Sequence, residues 1–148
     1  PLTPNSGAMN ALLTTAMTST KAFDGTEAVG TSMVLVFTAG ANGARIDTIE
    51  VQYTSTNGAT ASGTTSANLV RYWLNNGSSN TTASNNQLFG ELAIPAQSVT
   101  ASATTANPVA LYITNVSIPA GYKIYAGTTT AVGGTNCALL VSASGGDY

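Results

Sequence analysis

The sequence predicts an all-β fold, a single-domain β-sandwich with a jelly-roll-like arrangement of about eight strands. Short runs of β-branched and aromatic residues recur along the 148 residues, and loops rich in Gly, Asn, Ser and Thr separate them. No stretch carries a convincing helical period. This pattern is typical of sandwiches and barrels. A chain of this length buries roughly 68–70% of its unfolded surface, so a single hydrophobic core is sufficient to stabilise the fold.

The strongest strand signal lies in two arms, residues 33–38 and 45–54. Both arms are crowded with residues that favour strands. The loop between them contains Gly40 and the pair Asn42-Gly43, which supply the positive φ values of a chain reversal. We therefore predict a β-hairpin with a glycine-rich tip.

The second arm has a polar and an apolar face. Its alternation puts Ile49, Val51 and Tyr53 on one face, and Asp47 is in phase with them. The apolar residue just before Asp47 is out of phase with this set. The sequence therefore predicts a β-bulge near residues 47–48.

The remaining strands are shorter or weaker. They are predicted at residues 68–75, 87–94, 97–105, 108–114, 122–126 and 137–142. Strand 68–75 has apolar side chains on both faces, so we expect either that both faces are covered or that one of them faces a partner. In strand 87–94 the apolar residues Leu88, Leu92 and Ile94 are in phase.

The chain is divided into an N-terminal arm or extended segment, 1–20, and a β-sandwich domain, 21–148. Residues 1–8 combine Pro, Asn and Gly without periodicity, so we predict an arm that is mobile or ordered only against a partner. Residues 9–20 fit a short helical stripe or an extended chain, and their high Thr content favours the extended chain.

The composition restricts the class of partner. Charged residues make up 7% of the chain and the net charge is −2, against about 25% charged residues in an average protein. The surface must therefore consist of Ser, Thr, Asn, Gln and Gly, which are desolvated more cheaply than charges when a protein packs against neighbours. A solvated, secreted β domain is compatible with the same composition. The lack of a basic patch argues against nucleic acid.

Other features argue against several locations and chemistries. The single cysteine, Cys137, excludes an intrachain disulfide, and we expect it to be a small buried hydrophobe. No apolar run reaches the roughly 18–20 residues that span a bilayer, so no membrane association is predicted. No leader pattern is present, which favours folding in a reducing cytoplasm.

The sequence contains no histidine, which removes the commonest general base and most zinc sites. A glycosidase would need two carboxylates in one cleft. The strand carboxylates Glu50 and Glu91 are better explained as solvated side chains or as partners of Arg71. We therefore predict a protein that is not an enzyme and has no cofactor or metal.

The aromatic residues allow two interpretations. They could form a sugar-stacking platform, or they could anchor the core and a subunit interface. Their placement on strands favours the second interpretation. The residues concerned are Tyr53, Tyr72, Trp73, Tyr122 and Tyr125.

Three motifs suggest a family. They are VFTAGANGARIDTI at 36–49, LVRYWLNNG at 69–77, and IPAG at 118–121 with a terminal GGDY. Their order resembles small structural proteins of tailed-bacteriophage heads, similar to capsid decoration (cement) proteins with jelly-roll-like folds. The resemblance spans about residue 20 to the end of the sequence.

The resemblance implies a homotrimer on the outer surface of the virion. Such a trimer is made in the cytoplasm of the bacterial host, binds the major capsid protein lattice and stabilises the head. The alternative is a receptor- or glycan-binding β-sandwich of a phage fibre or adhesin, which needs exposed aromatics in a groove. Candidate subunit or capsid contacts are Pro1, Leu2, Pro4, Leu12, Leu13, Arg45, Asp47, Glu50, Arg71 and Trp73.

Overall fold

The computed structural model describes residues 3–4, 11–17, 32–56, 60–100 and 110–148. Within these ranges there are eleven β-strands and one 3-10 turn, Ala83–Asn85, but no α-helix. The strands are β1 (Thr3–Pro4), β2 (Ala11–Leu13), β3 (Met33–Thr38), β4 (Ala44–Ser55), β5 (Ser62–Thr64), β6 (Asn68–Asn75), β7 (Asn86–Ile94), β8 (Ser98–Thr100), β9 (Ala110–Ile118), β10 (Lys123–Thr128) and β11 (Cys137–Asp147).

The strands form two main antiparallel sheets. The first sheet has the order β1-β11-β4-β9, and β2 also pairs with β11. The second sheet has the order β3-β10-β6-β7, and β5 and β8 form a separate two-stranded sheet. The prediction of an all-β sandwich is therefore confirmed.

The pairing order is that of a jelly roll. Apart from β1 and the small β5–β8 sheet, eight strands remain, and they pair from the outside of the sequence inwards. The first pairs with the last (β2–β11), the second with the seventh (β3–β10), the third with the sixth (β4–β9) and the fourth with the fifth (β6–β7). A jelly roll folds one long antiparallel hairpin into two sheets in this way.

Apolar side chains of both sheets form one buried core. Because alternate residues of a strand face opposite sides, every second residue of β4, β6, β10 and β11 points between the sheets. The largest fully buried side chains include Tyr53, Ile46, Ile49, Val51 and Leu139 from the first sheet, and Tyr72, Val36 and Ile124 from the second.

The predicted hairpin is wrong, although both of its strands exist. β3 pairs with β10 in the second sheet, whereas β4 pairs with β11 and β9 in the first. The loop between them therefore carries the chain from one sheet to the other. Its left-handed residue is Gly43, with φ of 85°, and a Cβ there would lie 2.8 Å from the Ile118 carbonyl oxygen. The alternation of each strand specifies a buried face but not a partner strand.

The predicted β-bulge lies at Asp47. Thr48 pairs with Ser144 and Ile113, while Ile46 pairs with Gly145, so the register shifts across Asp47. The bulge removes Asp47 from the inward face, on which the simple alternation had placed it. Its side chain is 36% exposed instead.

A second apolar cluster covers the opposite face of the second sheet. Trp73 and Tyr125 are neighbours across β6 and β10, and they pack with Met17 and Met33. Both faces of β6 are thus covered, which is the first of the two arrangements that its sequence predicted. The backbone amide of Met17 donates to the Thr128 carbonyl oxygen at 2.9 Å, which anchors the segment after β2 to this sheet.

β7 forms an edge of the second sheet and carries a bulge. Tyr72 pairs with Gly90 and Trp73 pairs with Leu88, so Phe89 is the extra residue. Leu88 and Ile94 were predicted to share one face of the strand. Because of the bulge they do not, and Leu88 is 44% exposed while Ile94 is buried. Bulges on edge strands are a common protection against unwanted pairing.

Part of the predicted arm belongs to the sandwich. Residues 11–13 form β2, and the Leu13 side chain is 0% exposed in the core. The extended conformation expected here is confirmed for these residues. The boundary expected at residue 20 therefore falls after the first strand of the jelly roll, because the alternation of three residues was too short to reveal a strand.

Candidate functional site

The bulge on β4 brings two of the candidate contact residues together on the surface. Arg45 Nε donates to Asp47 Oδ1 at 2.7 Å, and Arg45 Nη2 lies 3.4 Å from Asp47 Oδ2. The hydrogen bond and charge of Asp47 raise the pKa of Arg45 above its ordinary value. Because both side chains are well exposed, this ion pair adds little to stability and is free to contact a partner.

The ion pair lies at one end of the outer face of the first sheet, defined by Arg45, Asp47, Thr48, Glu50, Gln52, Leu140, Ser142 and Ser144. Across the β4–β11 ladder, the Thr48 and Ser144 hydroxyls share a hydrogen bond of 2.6 Å. Glu50 is exposed and pairs in register with Ser142. Three hydroxyls, one carboxamide and Leu140 thus share this face with one cation and two carboxylates. The hydroxyls and the carboxamide lose less solvation energy than the charges when a partner covers them.

The expected pairing of Glu91 with Arg71 is confirmed. Arg71 Nε donates to Glu91 Oε1 at 2.6 Å across β6 and β7. The Arg71 side chain is 19% exposed, and its buried Nη1 has no hydrogen-bond partner in the described part of the chain. Glu50 lies in the first sheet and Glu91 in the second, so the two do not form the paired carboxylates of a glycosidase.

Two candidate contact residues lie inside the protein. Leu13 is 0% exposed and Trp73 is 3% exposed, so neither is a surface anchor in this chain. Tyr125, at 5% exposure, is buried with Trp73. Tyr53 and Tyr72 are both 0% exposed. The sugar-stacking platform therefore loses four of its five proposed rings, while Tyr122 remains half-buried at the surface.

The other N-terminal candidates are only partly described. Pro4 pairs with Gly146 and Leu12 pairs with Leu140 through the backbone. A proline has no N–H to donate, which suits a strand at the edge of a sheet. Pro1 and Leu2 lie outside the described residues.

The last two residues fasten the loop between β3 and β4. Asp147 Oδ1 accepts a hydrogen bond from the Gly40 amide at 3.0 Å, and the Tyr148 amide donates to the Gly43 carbonyl oxygen at 3.1 Å. The Tyr148 hydroxyl lies 2.5 Å from the Ser117 hydroxyl. Sequence reasoning missed the contacts of Asp147 and Tyr148 with this loop, because nothing local relates residues about a hundred positions apart.

A small pocket lies beside the loop that joins β6 to β7. Its volume is about 130 Å³, and one side is open to solvent. Its lining residues are Leu74, Asn76, Ser84, Asn85, Asn86, Gln87 and Tyr122. Because four of them carry carboxamides, we call it the amide pocket. The sequence predicted only a polar loop here, because asparagine-rich loops carry no signature of a pocket.

The described ranges contain few residues suited to metal binding or redox chemistry. No group of three His, Cys, Asp or Glu side chains lies close enough there to hold a metal ion. Cys137 is 6% exposed, as expected, and its Sγ lies 3.4 Å from the Thr135 carbonyl oxygen. Among the described residues there is also no helix of sufficient length and apolarity to cross a membrane.

Comparison of the chain with known protein families, with curated proteins and with solved structures gave no match. The resemblance to capsid decoration proteins therefore depends on the three sequence motifs.

Proposed function

We propose that this chain is a non-enzymatic structural protein of a tailed-bacteriophage head. As a homotrimer on the outer capsid surface, it binds the lattice of the major capsid protein and stabilises it. The sequence motifs suggest this role. A jelly-roll domain with few charges is compatible with it.

The observation that carries the proposal is the outer face of the first sheet. Three of its eight residues carry hydroxyls, and two of these hydroxyls are hydrogen-bonded to each other in the pair Thr48–Ser144. The exposed Arg45–Asp47 pair and Glu50 provide the few charges that can fix the orientation of a partner. These residues are spread along two paired strands, an arrangement that suits a protein partner, whereas sites for small ligands are usually concave.

A trimer would strengthen weak contacts of this kind. Each copy needs only a modest affinity for its capsid subunit, since the second and third contacts form at a high effective concentration. Low charge favours close packing of symmetry-related copies without like-charge repulsion. Both effects match the needs of a protein that clamps neighbouring capsid subunits.

The receptor- or glycan-binding domain of a fibre or adhesin is the alternative. That function was expected to use exposed aromatic residues in a groove. The burial of Trp73 and Tyr125 removes most of that groove, so the alternative receives less support.

The experiment is a binding assay with purified capsids that lack the protein. We expect a trimer by light scattering and regularly spaced density on the capsid by cryo-electron microscopy. Ser142→Arg should abolish capsid binding, because its long side chain projects from the centre of the outer face of the first sheet and keeps a partner at a distance. Thr81→Arg, on the exposed loop after β6, is the matched control and should bind normally. A monomer without capsid density would contradict the proposal.

A further inference from the structure

We propose that the amide pocket binds one neutral pyranose ring at the end of a glycan. This inference is independent of the capsid role, because the pocket lies beside the second sheet rather than on the outer face of the first. The pocket shares only Tyr122 with the sugar-stacking platform, whose other four aromatic rings are buried.

The chemistry of the lining residues selects an uncharged ligand that is rich in hydroxyl groups. Four of the seven lining residues carry carboxamides, one carries an aliphatic hydroxyl, and none carries a carboxylate, ammonium or guanidinium group. A charged ligand would therefore lose solvation without meeting an opposite charge. Each carboxamide offers both donors and an acceptor, and a sugar hydroxyl likewise donates and accepts. The two sets of groups are complementary.

The apolar part of the lining suits the other side of a sugar ring. Tyr122 contributes an aromatic ring, and Leu74 adds an aliphatic side chain. A pyranose presents C–H groups on its ring face and hydroxyl groups around its edge. A lining that combines an aromatic residue with carboxamides and a hydroxyl suits both parts of such a ring.

Hydrogen bonds hold the amide groups in place without a ligand. Asn76 Nδ2 donates to Asn85 Oδ1 at 3.2 Å, and Asn85 Nδ2 donates to the Ser79 carbonyl oxygen at 2.8 Å. Asn86 Nδ2 donates to the Asn80 carbonyl oxygen at 2.9 Å. A binding site arranged in advance loses less conformational entropy when the ligand arrives.

Two lining side chains remain available for the ligand. Within the described part of the chain, no protein group is hydrogen-bonded to the Ser84 hydroxyl or to the Gln87 side-chain amide. Both residues are exposed at the mouth of the pocket. They can therefore donate to and accept from the hydroxyl groups of a ring that enters from solvent.

The size of the pocket limits the ligand to one ring. Its 130 Å³ corresponds to the liquid volume of about four water molecules. Sites for larger ligands measure roughly 300–1,000 Å³. One pyranose would be partly enclosed and partly exposed, so we expect a dissociation constant of about 1 mM or weaker.

The test is a titration of ¹⁵N-labelled protein with methyl glycosides of glucose, galactose, mannose and N-acetylglucosamine. We expect at least one glycoside to cause saturable shifts in the side-chain amide signals of Asn76, Asn85 and Gln87. Concentrations up to about 50 mM cover the expected affinity. If none of the four glycosides causes saturable shifts, the proposal is wrong.

Variants then locate the binding. The double variant Ser84→Ala with Gln87→Ala should weaken binding by about tenfold, since it removes two ligand hydrogen bonds of about 0.7 kcal/mol each. The control is Gln52→Ala on the outer face of the first sheet, which should bind like the parent protein. Equal affinity of the double variant and the control would overturn the site. Competition by acetamide at the same concentrations as the glycosides would also overturn the proposal, because it would indicate that the pocket recognises amide groups rather than a sugar ring.

Discussion

The carboxylate of Asp147 accepts a hydrogen bond of 3.0 Å from the backbone amide of Gly40, which lies 107 positions earlier in the sequence. A Cβ on Gly40 would lie 2.7 Å from Asp147 Oδ2, so the glycine is needed for this approach. The contact joins the end of β11 to the loop that crosses between the two sheets. It therefore helps to hold the two layers of the sandwich in register.

Asp147→Ala should lower the free energy of unfolding by about 1 kcal/mol, because it removes a hydrogen bond to a charged and partly buried group. For a chain of this size, this corresponds to roughly 2–4 °C in Tm. Gly40→Ala should cost a similar amount through its collision with the carboxylate. Differential scanning calorimetry measures both changes.

The double variant separates this contact from unrelated effects. Once the Asp147 carboxylate is gone, a methyl group on Gly40 has room, so the two effects should fall short of additive by about 0.5 kcal/mol or more. Asp47→Ala serves as the control on an exposed carboxylate. Strict additivity would argue against the contact.

Gly127→Ala should destabilise the second apolar cluster by about 1–3 kcal/mol, as overpacking of a buried site usually does. A Cβ on Gly127 would collide with the sulfur atoms of Met17 and Met33. Urea unfolding measures the loss. In a Met17→Ala background the same substitution should cost clearly less, and an equal cost in both backgrounds would contradict this explanation.

The Arg71–Glu91 pair should respond differently to the loss of each partner. Glu91→Ala leaves a mostly buried guanidinium unpaired, and we expect a loss of about 1 kcal/mol or more. Arg71→Met keeps much of the packing and removes the buried Nη1, which lacks a partner, so stability should change by less than about 0.5 kcal/mol. Chemical denaturation of both variants tests this order, and the reverse order would contradict it.

We expect the free energy of unfolding to decrease at alkaline pH because of Tyr53. Its hydroxyl donates to the Ser66 carbonyl oxygen, and burial raises the pKa of Tyr53 above its ordinary value. The folded state therefore holds the proton more tightly than the unfolded state. This contribution is fully present below about pH 10, and it falls as the pH rises further, by at most about 1.4 kcal/mol per pH unit.

Urea unfolding between about pH 8 and 11 measures this slope, and absorbance of the tyrosinate form follows the titration. Tyr53→Phe should reduce the decline above pH 10. It should also cost about 1 kcal/mol at neutral pH through the lost hydrogen bond. Tyr148→Phe is the control, because that side chain is half exposed. Identical slopes in the two variants would exclude Tyr53 as the source.

Removal of residues 1–8 should weaken capsid attachment while the fold remains intact. Thr3 and Pro4 pair with Asp147 and Gly146, so their loss uncovers only one end of β11. We expect a Tm change of about 2 °C or less, together with reduced occupancy on capsids by cryo-electron microscopy. Unchanged occupancy of the capsids would show that residues 1–8 are not part of the proposed interface.

Local features were predictable from the sequence where alternation was long and clear. Strand 68–75 matches β6, and the bulge at Asp47 followed from a break in the apolar phase of β4. The Arg71–Glu91 pair was predictable because so few charges are available. In each case the signal lay in the residues of one strand or in a composition that left few choices.

Long-range features were not predictable. The strands β3 and β4 appeared to form a hairpin, but their partners lie some ninety residues further along the chain. The phase of Leu88 was wrong because nothing local reveals the bulge at Phe89. The amide pocket depends on Tyr122 meeting the loop after β6, which only the paired sheets bring about.

The pairing of β2 with β11 has a consequence for how the molecule folds. The first strand of the jelly roll finds its partner among residues 139–141, so the first sheet cannot be completed before the last strand has left the ribosome. Contacts between such distant segments require the closure of long loops, which slows folding to milliseconds or seconds in β-sandwiches. Assembly of the native domain therefore cannot be completed until both β2 and β11 are available to pair.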